Sequence, residues 1–522
     1  MKKRSLKEDV AQLVMPRIDG PKLGDPAYRE HMEELVRQGI GGFILFGGDI
    51  DETPRRLHSL QGAAPVPLLI ASDVERGLGQ QLSGGTHFPS QRAVASAVNR
   101  RSKKDVELLD RMLDAVRQET RAAGIHAVFS PVLDVNNNPD NPIICTRAFG
   151  EEPELVEWFG SRYIRGLQKM AQHGKEDLLA CAKHFPGHGD TDQDSHSVLP
   201  VIRADKQRLN RVELPPFREA VKHRVGMVMV AHLLVPALDP VKPTTFSKKI
   251  VTALLREGMG FEGLIVSDAL DMGALAGQYS QEEIAVRTVE AGMDILLHPK
   301  DALATVDAVV AAVEEGRLTR QRIAESVERI MHAKTKLGLF EKDRHAPELI
   351  DYEQNRQTAS ELGRKAFRIL NGNVKGKGIL PFPHDAGVAC FIVDDDNNRE
   401  SAHVFIRAMK KQFEHLSLIT LTPDAEMPAC LAYDGIRAAK FVVMAFYSRI
   451  SASKGRSGIS DKLRGMAMDV LHRAREVNAK SAVISFDSPY ILDLFKDADL
   501  RIAAYDRMEE IQKAAADLLA GE

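Results

Sequence analysis

The segment from Lys183 to His196 is the most unusual stretch of the sequence. It holds three histidines and three aspartates in fourteen residues, together with one proline and two glycines. Asp194 and His196 are separated only by Ser195, so a turn can bring the carboxylate against the imidazole. A carboxylate on one ring nitrogen fixes the tautomer and raises the basicity of the ring, which leaves the other nitrogen to protonate a leaving group. We therefore predict an acid/base pair here.

The same segment could instead hold a metal ion, because its histidines and aspartates are zinc ligands in type. Its aspartates match the first three ligand positions of a calcium-binding EF-hand loop. Ser195, however, stands at the turn glycine of that loop, and Val201 stands at its bidentate glutamate. Calcium is therefore disfavoured, while a zinc-dependent hydrolase and a merely solvated loop remain alternatives.

Asp268 is the second candidate reactive group. It follows the apolar run Leu264–Ser267, which predicts a buried strand. A carboxylate at a strand end is held rigidly and can be aimed into a pocket, as nucleophilic displacement at a sugar carbon requires. The alternative is that Asp268 caps the helix that follows it.

These groups need a scaffold, which the sequence predicts between residues 10 and 340. Short runs of Val, Ile and Leu alternate with amphipathic segments, a pattern typical of parallel strands buried on both faces. The runs are Val10–Met15, Gly42–Phe46, Leu68–Ala71, Ala127–Val132, Leu178–Ala182, Met227–Ala231, Leu264–Ser267 and Ile295–Leu297. Eight such strands predict a (β/α)8 barrel, with an open doubly wound sheet as the alternative.

In a barrel, reactive side chains gather at the carboxyl ends of the strands. Several predicted strands end in residues of reactive type, which are Asp73, Asp134, Lys183, His184, His232 and Asp268. We therefore expect one polar pocket at one end of the barrel.

A second domain is predicted after the barrel. Apolar runs recur at Val388–Val393, Leu416–Leu421, Phe441–Phe446, Ala482–Phe486 and Ile502–Tyr505, with helical segments between them. This pattern indicates a sheet between layers of helices. We predict an α/β protein with a catalytic barrel at 1–341, a connector at 342–382 and an α/β sandwich domain at 383–522.

Composition excludes several classes of protein. Of the 522 residues, 44% are hydrophobic and 27% are charged, with a net charge of −3, which is typical of globular proteins and offers no strong field for nucleic acid. The four cysteines form no CxxC pair, so a disulfide framework is disfavoured. The sequence contains no run of about 18 apolar residues, so no membrane span is predicted. The N-terminus lacks the apolar segment of an export signal, so we expect a cytoplasmic protein.

The sequence resembles glycoside hydrolase family 3, and within it the bacterial β-N-acetylglucosaminidase branch. That branch carries KHFPGHGxTxxDSH, which stands here as Lys183 to His196, and a nucleophilic aspartate within SDALDM, which stands here as Ser267 to Met272. Further resemblance lies in the segments RAFG, MVMVAHLLVPALDP and LGLF, and in VISFDSPYIL and AAYD of the second domain. The resemblance covers nearly the whole chain.

The resemblance implies a retaining double displacement on terminal GlcNAc, with no catalytic metal or organic cofactor. Asp268 would form a covalent glycosyl-enzyme, and His196, oriented by Asp194, would protonate the leaving oxygen and then deprotonate water. The family's sugar contacts fall on Asp73, Arg147, Lys183 and His184. The implied substrates are saccharides from cell-wall turnover, such as peptidoglycan-derived muropeptides.

One motif departs from the branch, which usually has DQEGGRVxR after the third strand. Asp73 is kept, whereas Leu78 and Gln81 stand where the two arginines fall. The resemblance therefore indicates the reaction more firmly than the exact sugar. The alternatives are another β-glycosidase of the family, a β-N-acetylglucosaminide phosphorylase and a non-catalytic sugar-binding protein, besides the metal-dependent hydrolase.

Overall fold

The structure is a computed structural model, which describes residues 4–170, 175–341, 349–371, 378–398, 400–424, 435–450 and 454–522. It divides into two compact units. The first comprises Met1–Phe88, Asp110–Asn138 and Ala148–Arg356, and the second comprises Pro89–Leu109, Pro139–Arg147 and Gln357–Glu522. Parts of the predicted connector, at 342–348 and 372–377, lie outside the described residues.

The first unit is built on a curled parallel sheet. Its strands are β1 (Val14–Met15), β2 (Arg17–Asp19), β3 (Gly42–Phe46), β4 (Leu69–Ser72), β5 (Ala127–Val128), β6 (Leu179–Phe185), β7 (Met227–Val230), β8 (Leu264–Ser267) and β9 (Leu296–Leu297). Strands β2 to β8 form a seven-stranded sheet in chain order, and β1 pairs in parallel with β9. Parallel strands in chain order place all their carboxyl ends at one edge.

Helices connect the strands, as the alternating pattern predicts. Among the described residues the α-helices are, in chain order, Leu6–Ala11, Pro26–Arg37, Thr53–Ala63, Gln91–Ala97, Lys103–Ala122, Pro153–Leu167, Lys206–Arg211, Pro215–Lys222, Gly273–Ala276, Gln281–Ala291, Ala302–Glu314, Arg320–Lys336, Tyr352–Lys365, His403–Gln412, Asp461–Glu476 and Glu509–Ala520. A π-helical segment spans Lys249–Gly258. Many of these helices begin at a side chain that caps the free backbone N–H groups, namely Ser5, Asp25, Ser90, Asp205, Ser280, Asp301 and Thr319.

Four predicted strands of the first unit are shorter in the structure than their apolar runs, and two of these differ by more than one residue. The run Val10–Met15 begins within the helix Leu6–Ala11, because Ser5 and Glu8 form a capping box that starts a helix there. The run Ala127–Val132 is a strand only over β5, since Pro131 has no N–H to donate to a neighbouring strand.

A buried ion cluster holds the amino end of β8 against the helix Arg320–Lys336. Asp294 is completely buried and accepts hydrogen bonds from Arg256 at 2.7 Å and from Arg329 at 3.0 Å. Its carboxylate also accepts the backbone N–H of Ile265, in β8, at 3.0 Å. Buried carboxylates are stable only when paired in this way. The cluster therefore fixes the strand whose other end leads to Asp268.

The second unit contains a mixed six-stranded sheet. Its strands are β10 (Arg368–Asn371), β11 (Gly387–Asp394), β12 (His415–Leu421), β13 (Phe441–Tyr447), β14 (Lys480–Ser485) and β15 (Leu500–Ala503). The strand order is β10-β15-β14-β13-β11-β12, and only β10 is antiparallel to its neighbour. Within the described part of the chain, no helix is both long and apolar enough to cross a membrane.

Candidate active site

Lys183, near the carboxyl end of β6, is a buried cation between two carboxylates. Its Nζ donates to Asp73 Oδ1 at 2.8 Å and lies 2.7 Å from Glu75 Oε1, and Lys183 is 2% exposed. Both acids follow β4 in the chain. Such charge-assisted bonds fix the direction of each group, which is what recognition of sugar hydroxyls requires. The resemblance implies that Asp73 and Lys183 contact a sugar, which stays a prediction, and it gives no role to Glu75.

The His184 ring is oriented by the carboxylate of Asp134. The sequence analysis placed Asp134 at a strand end but gave it no role. Asp134 is completely buried and accepts Nδ1–H of His184 at 2.7 Å. Burial acts to raise the pKa of Asp134, but the charge and hydrogen bond of His184 and the backbone N–H of His188 outweigh it, so the pKa lies below its usual range. The carboxylate stays ionised and keeps the proton of His184 on Nδ1.

Asp268 follows β8 and is half-buried. Its backbone N–H donates to the Val230 carbonyl at 3.0 Å, and its Oδ1 accepts the N–H of Ala269 at 2.8 Å. Burial acts to raise its pKa, but the positive charges of His184 and Lys183, with the hydrogen bond from the Ala269 N–H, hold the pKa below its usual range. Asp268 is therefore a carboxylate near neutral pH, which is the form a nucleophile needs.

The structure does not support the alternative in which Asp268 caps a helix. The next helix, Gly273–Ala276, starts five residues later and has Met272 at its N-cap position. The Asp268 carboxylate bonds instead to the N–H of its own neighbour.

His232, which follows β7, supports the segment that carries Asp268. The ring is completely buried, with Nε2 2.9 Å from the Ala269 carbonyl and Nδ1 2.6 Å from Oγ1 of Thr245. A carbonyl only accepts, so Nε2 carries the proton. Burial lowers the pKa of His232, so it is a neutral ring that holds Ala269 in place.

The structure places the Asp194 carboxylate against the His196 ring, as their spacing predicts. Asp194 Oδ1 lies 2.7 Å from Nδ1 of His196 and accepts the backbone N–H of the same residue at 2.9 Å. Asp194 is buried, whereas the His196 side chain is 36% exposed. The proton on Nδ1 faces the carboxylate, so Nε2 is the nitrogen that can exchange a proton with a ligand.

The loop that carries His196 touches the segment that follows Asp268. The N–H of Gly273 donates to the His196 carbonyl at 3.2 Å. A Cβ on Gly273 would lie 2.7 Å from that oxygen, so this approach requires glycine. The two candidate reactive groups therefore lie on segments that are in direct contact.

Arg147 belongs to the second unit, in the 3₁₀ turn Cys145–Arg147. Its Nη1 donates to the Ile143 carbonyl at 3.1 Å, and its own carbonyl accepts from Gln91 at 2.8 Å. Its contact with a sugar remains a prediction.

The two departures from the family pattern contribute to the scaffold. Leu78 is fully buried in the core of the first unit. Gln81 donates through Nε2 to the Asp73 carbonyl at 2.9 Å, and its Oε1 accepts the N–H of Gly47 at 3.4 Å. Gln81 thus joins the chain after β3 to the chain after β4.

The histidines of the 183–196 segment have different partners. His184 faces Asp134, His196 faces Asp194, and His188 lies 3.0 Å from Ser195 Oγ. Among the described residues, no group of three or more His, Cys, Asp or Glu side chains is arranged to hold a metal ion.

Comparison with known proteins finds one family model and several named relatives that are similar to this chain. The model of the glycosyl hydrolase family 3 N-terminal domain matches residues 5–333. A β-hexosaminidase A of Pseudoalteromonas piscicida is 29% identical over 510 residues, which cover 89% of this chain and 83% of that protein. A β-hexosaminidase of Mycobacterium tuberculosis is 35% identical over 305 residues, or 56% of this chain and 74% of that protein.

Among solved structures, a family 3 β-N-acetylglucosaminidase from Paenibacillus sp. is 28% identical to this chain. It superposes with a TM-score of 0.83, and the match covers 99% of this chain and 97% of that one.

Proposed function

This chain belongs to glycoside hydrolase family 3, and from that premise we propose that it is a retaining exo-β-N-acetylglucosaminidase that removes terminal GlcNAc. The observation that carries the proposal is the contact between the loop of the Asp194–His196 pair and the segment that follows an ionised Asp268. The relatives named as β-hexosaminidases support the same activity.

In the first step, a carboxylate oxygen of Asp268 bonds to the anomeric carbon as the bond to the leaving oxygen breaks. His196 gives its Nε2 proton to that oxygen, and Asp194 stabilises the ring throughout. The product of this step is a glycosyl ester of Asp268 and a free aglycone.

In the second step, water replaces Asp268 at the anomeric carbon. Nε2 of His196 now carries no proton, so it accepts the proton of the water as the new carbon–oxygen bond forms and the ester bond breaks. Two displacements at one carbon give overall retention of configuration. The enzyme returns to its starting protonation state.

Sugar binding in this proposal uses the polar groups around Lys183. Charged and imidazole groups in fixed orientation can bond several hydroxyls of one terminal sugar. The residues assigned to this role are Asp73, Lys183 and His184, while the sugar contact of Arg147 stays a prediction of the resemblance. The proton donor is an imidazole rather than a second carboxylate, so the donor itself does not repel an acidic aglycone, and we propose peptidoglycan-derived muropeptides as substrates.

We also propose that β1 to β9 close into a (β/α)8 barrel with this site at its mouth. The pairing of Val14 with Leu296 and the bridge between Val266 and Ile295 support closure, since together they link β8 through β9 to β1. The domain limits 1–341, 342–382 and 383–522 are part of the same proposal.

The test compares 4-nitrophenyl β-glycosides of GlcNAc and glucose, with and without inorganic phosphate. We expect kcat/KM to favour the GlcNAc substrate by about a hundredfold or more, because the site must distinguish a polar substituent on the sugar. We also expect free GlcNAc as the product under both conditions.

A preference for the glucoside would contradict the proposed sugar and favour a β-glucosidase. Accumulation of GlcNAc 1-phosphate as the main product would make the enzyme a phosphorylase. Loss of activity in a chelator, restored by zinc, would favour the metal-dependent hydrolase.

A further inference from the structure

A buried hydrogen bond joins two residues that the proposed mechanism does not use. Nε2 of His188 lies 3.0 Å from Oγ of Ser195, and these residues are 1% and 2% exposed. Ser195 stands between the two members of the acid/base pair. We propose that His188 and Ser195 are positioning residues that hold the turn of the Asp194–His196 pair in its working orientation. This inference rests on the proposed function.

His188 is itself fixed to the floor of the site. Its backbone N–H donates to Asp134 Oδ1 at 2.7 Å, and the same carboxylate accepts Nδ1–H of His184. The buried Asp134 carboxylate therefore holds both His184, a proposed sugar contact, and His188, from which the chain continues to Asp194 and His196.

The His188 ring is suited to a structural hydrogen bond rather than to proton transfer. Burial lowers its pKa to about 4, so the ring is neutral at the pH where the acid/base pair works. A neutral ring adds no charge beside Asp194, and the buried hydroxyl of Ser195 is satisfied without water.

The turn needs such a support because packing alone does not hold His196. Its side chain is 36% exposed, and its orientation depends on the short turn in which the Asp194 carbonyl accepts the N–H groups of Ser197 and Val198. That turn is attached on one side through Ser195 to His188 and on the other through the His196 carbonyl to Gly273. Without the Ser195 hydroxyl, the Asp194–His196 bond can persist while the whole turn shifts.

A shift of the proton donor affects only reactions that need the proton. A misplacement of about 1 Å can lower a rate by about a hundredfold. Substrates whose leaving groups depart unprotonated do not depend on the donor. Dependence on the leaving group therefore distinguishes a positioning role from a merely structural one.

The experiment compares Ser195→Ala, Ser195→Thr and the parental enzyme on phenyl and 2,4-dinitrophenyl β-GlcNAc. For Ser195→Ala we expect kcat/KM to fall by about 30-fold or more on the phenyl substrate and by less than about threefold on the dinitrophenyl substrate. Ser195→Thr keeps the hydroxyl and is expected to stay close to parental on both. The matched control is Asp192→Asn, an exposed position of the same loop, which should change neither rate.

An equal loss on both substrates, or no loss on either, would overturn the positioning role. If Ser195→Ala does not fold, the pair His188→Gln and His188→Leu gives the same comparison, because a glutamine amide can donate or accept a hydrogen bond near the position of Nε2 and leucine can do neither. A folded parental enzyme that cleaves neither substrate would instead overturn the proposed function, and the positioning role with it.

Discussion

Asp268→Asn is expected to lower kcat/KM for aryl β-GlcNAc substrates by roughly 10⁴-fold or more, comparable with the loss of a nucleophile in other covalent catalysts. The amide has nearly the shape of the carboxylate but cannot displace a leaving group. Steady-state kinetics on the dinitrophenyl substrate make the test strict, since this substrate needs no proton from His196. A loss below about tenfold would show that Asp268 is not the nucleophile.

The matched control is Asp271→Asn, three residues along the same segment. Asp271 pairs with His298 at 3.1 Å and is 39% exposed, and it has no part in the proposed mechanism. We expect its kcat/KM to stay within about threefold of parental.

The pH dependence of kcat/KM follows from the lowered pKa of Asp268. The carboxylate stays ionised to a lower pH than an ordinary aspartate, so the acid limb of kcat/KM due to Asp268 moves down in pH.

His196→Ala is expected to separate substrates by their leaving groups. Loss of a general acid costs about 10²- to 10⁴-fold where protonation is needed. We therefore expect a loss of that size in kcat/KM on phenyl β-GlcNAc and a loss below about tenfold on dinitrophenyl β-GlcNAc. Added azide should raise kcat on the latter, because it attacks the glycosyl-enzyme without the help of a base.

The control for this variant is His223→Ala. In the parental protein the His223 ring pairs at 2.9 Å with Glu219, which lies on the helix Pro215–Lys222. The His223→Ala change should leave both substrates unaffected. Equal losses for His196→Ala on the two substrates would contradict its role as the acid/base.

The strands of the first unit were largely predictable from local sequence. The apolar runs Gly42–Phe46 and Leu264–Ser267 are strands with the same limits, because buried parallel strands need apolar side chains on both faces. The limits fail where a local signal competes, as with the capping box that draws Val10 into a helix. The short edge strand β10 was not predicted, since it has only four residues.

The contact between Asp194 and His196 was also predictable, because the two residues are two positions apart and a single turn joins them. The other groups of the site depend on contacts between distant parts of the chain. Lys183 and Asp73 are 110 residues apart, and Asp134 and His184 are 50 apart. No local pattern encodes such pairings, so sequence reasoning found these residue types at strand ends but not their partners.

Formation of a covalent bond between the sugar and Asp268 is the central claim, and trapping tests it most directly. A 5-fluoro β-GlcNAc fluoride should form the glycosyl-enzyme quickly, because the anomeric fluoride is a good leaving group. The attached sugar should then hydrolyse slowly, because the ring fluorine destabilises the oxocarbenium-like transition state. Peptide mapping by mass spectrometry is predicted to find one fluorinated sugar on the peptide that contains Asp268, and none on Asp268→Asn. A label on another residue, or turnover of natural substrate with inversion at the anomeric carbon, would contradict the account.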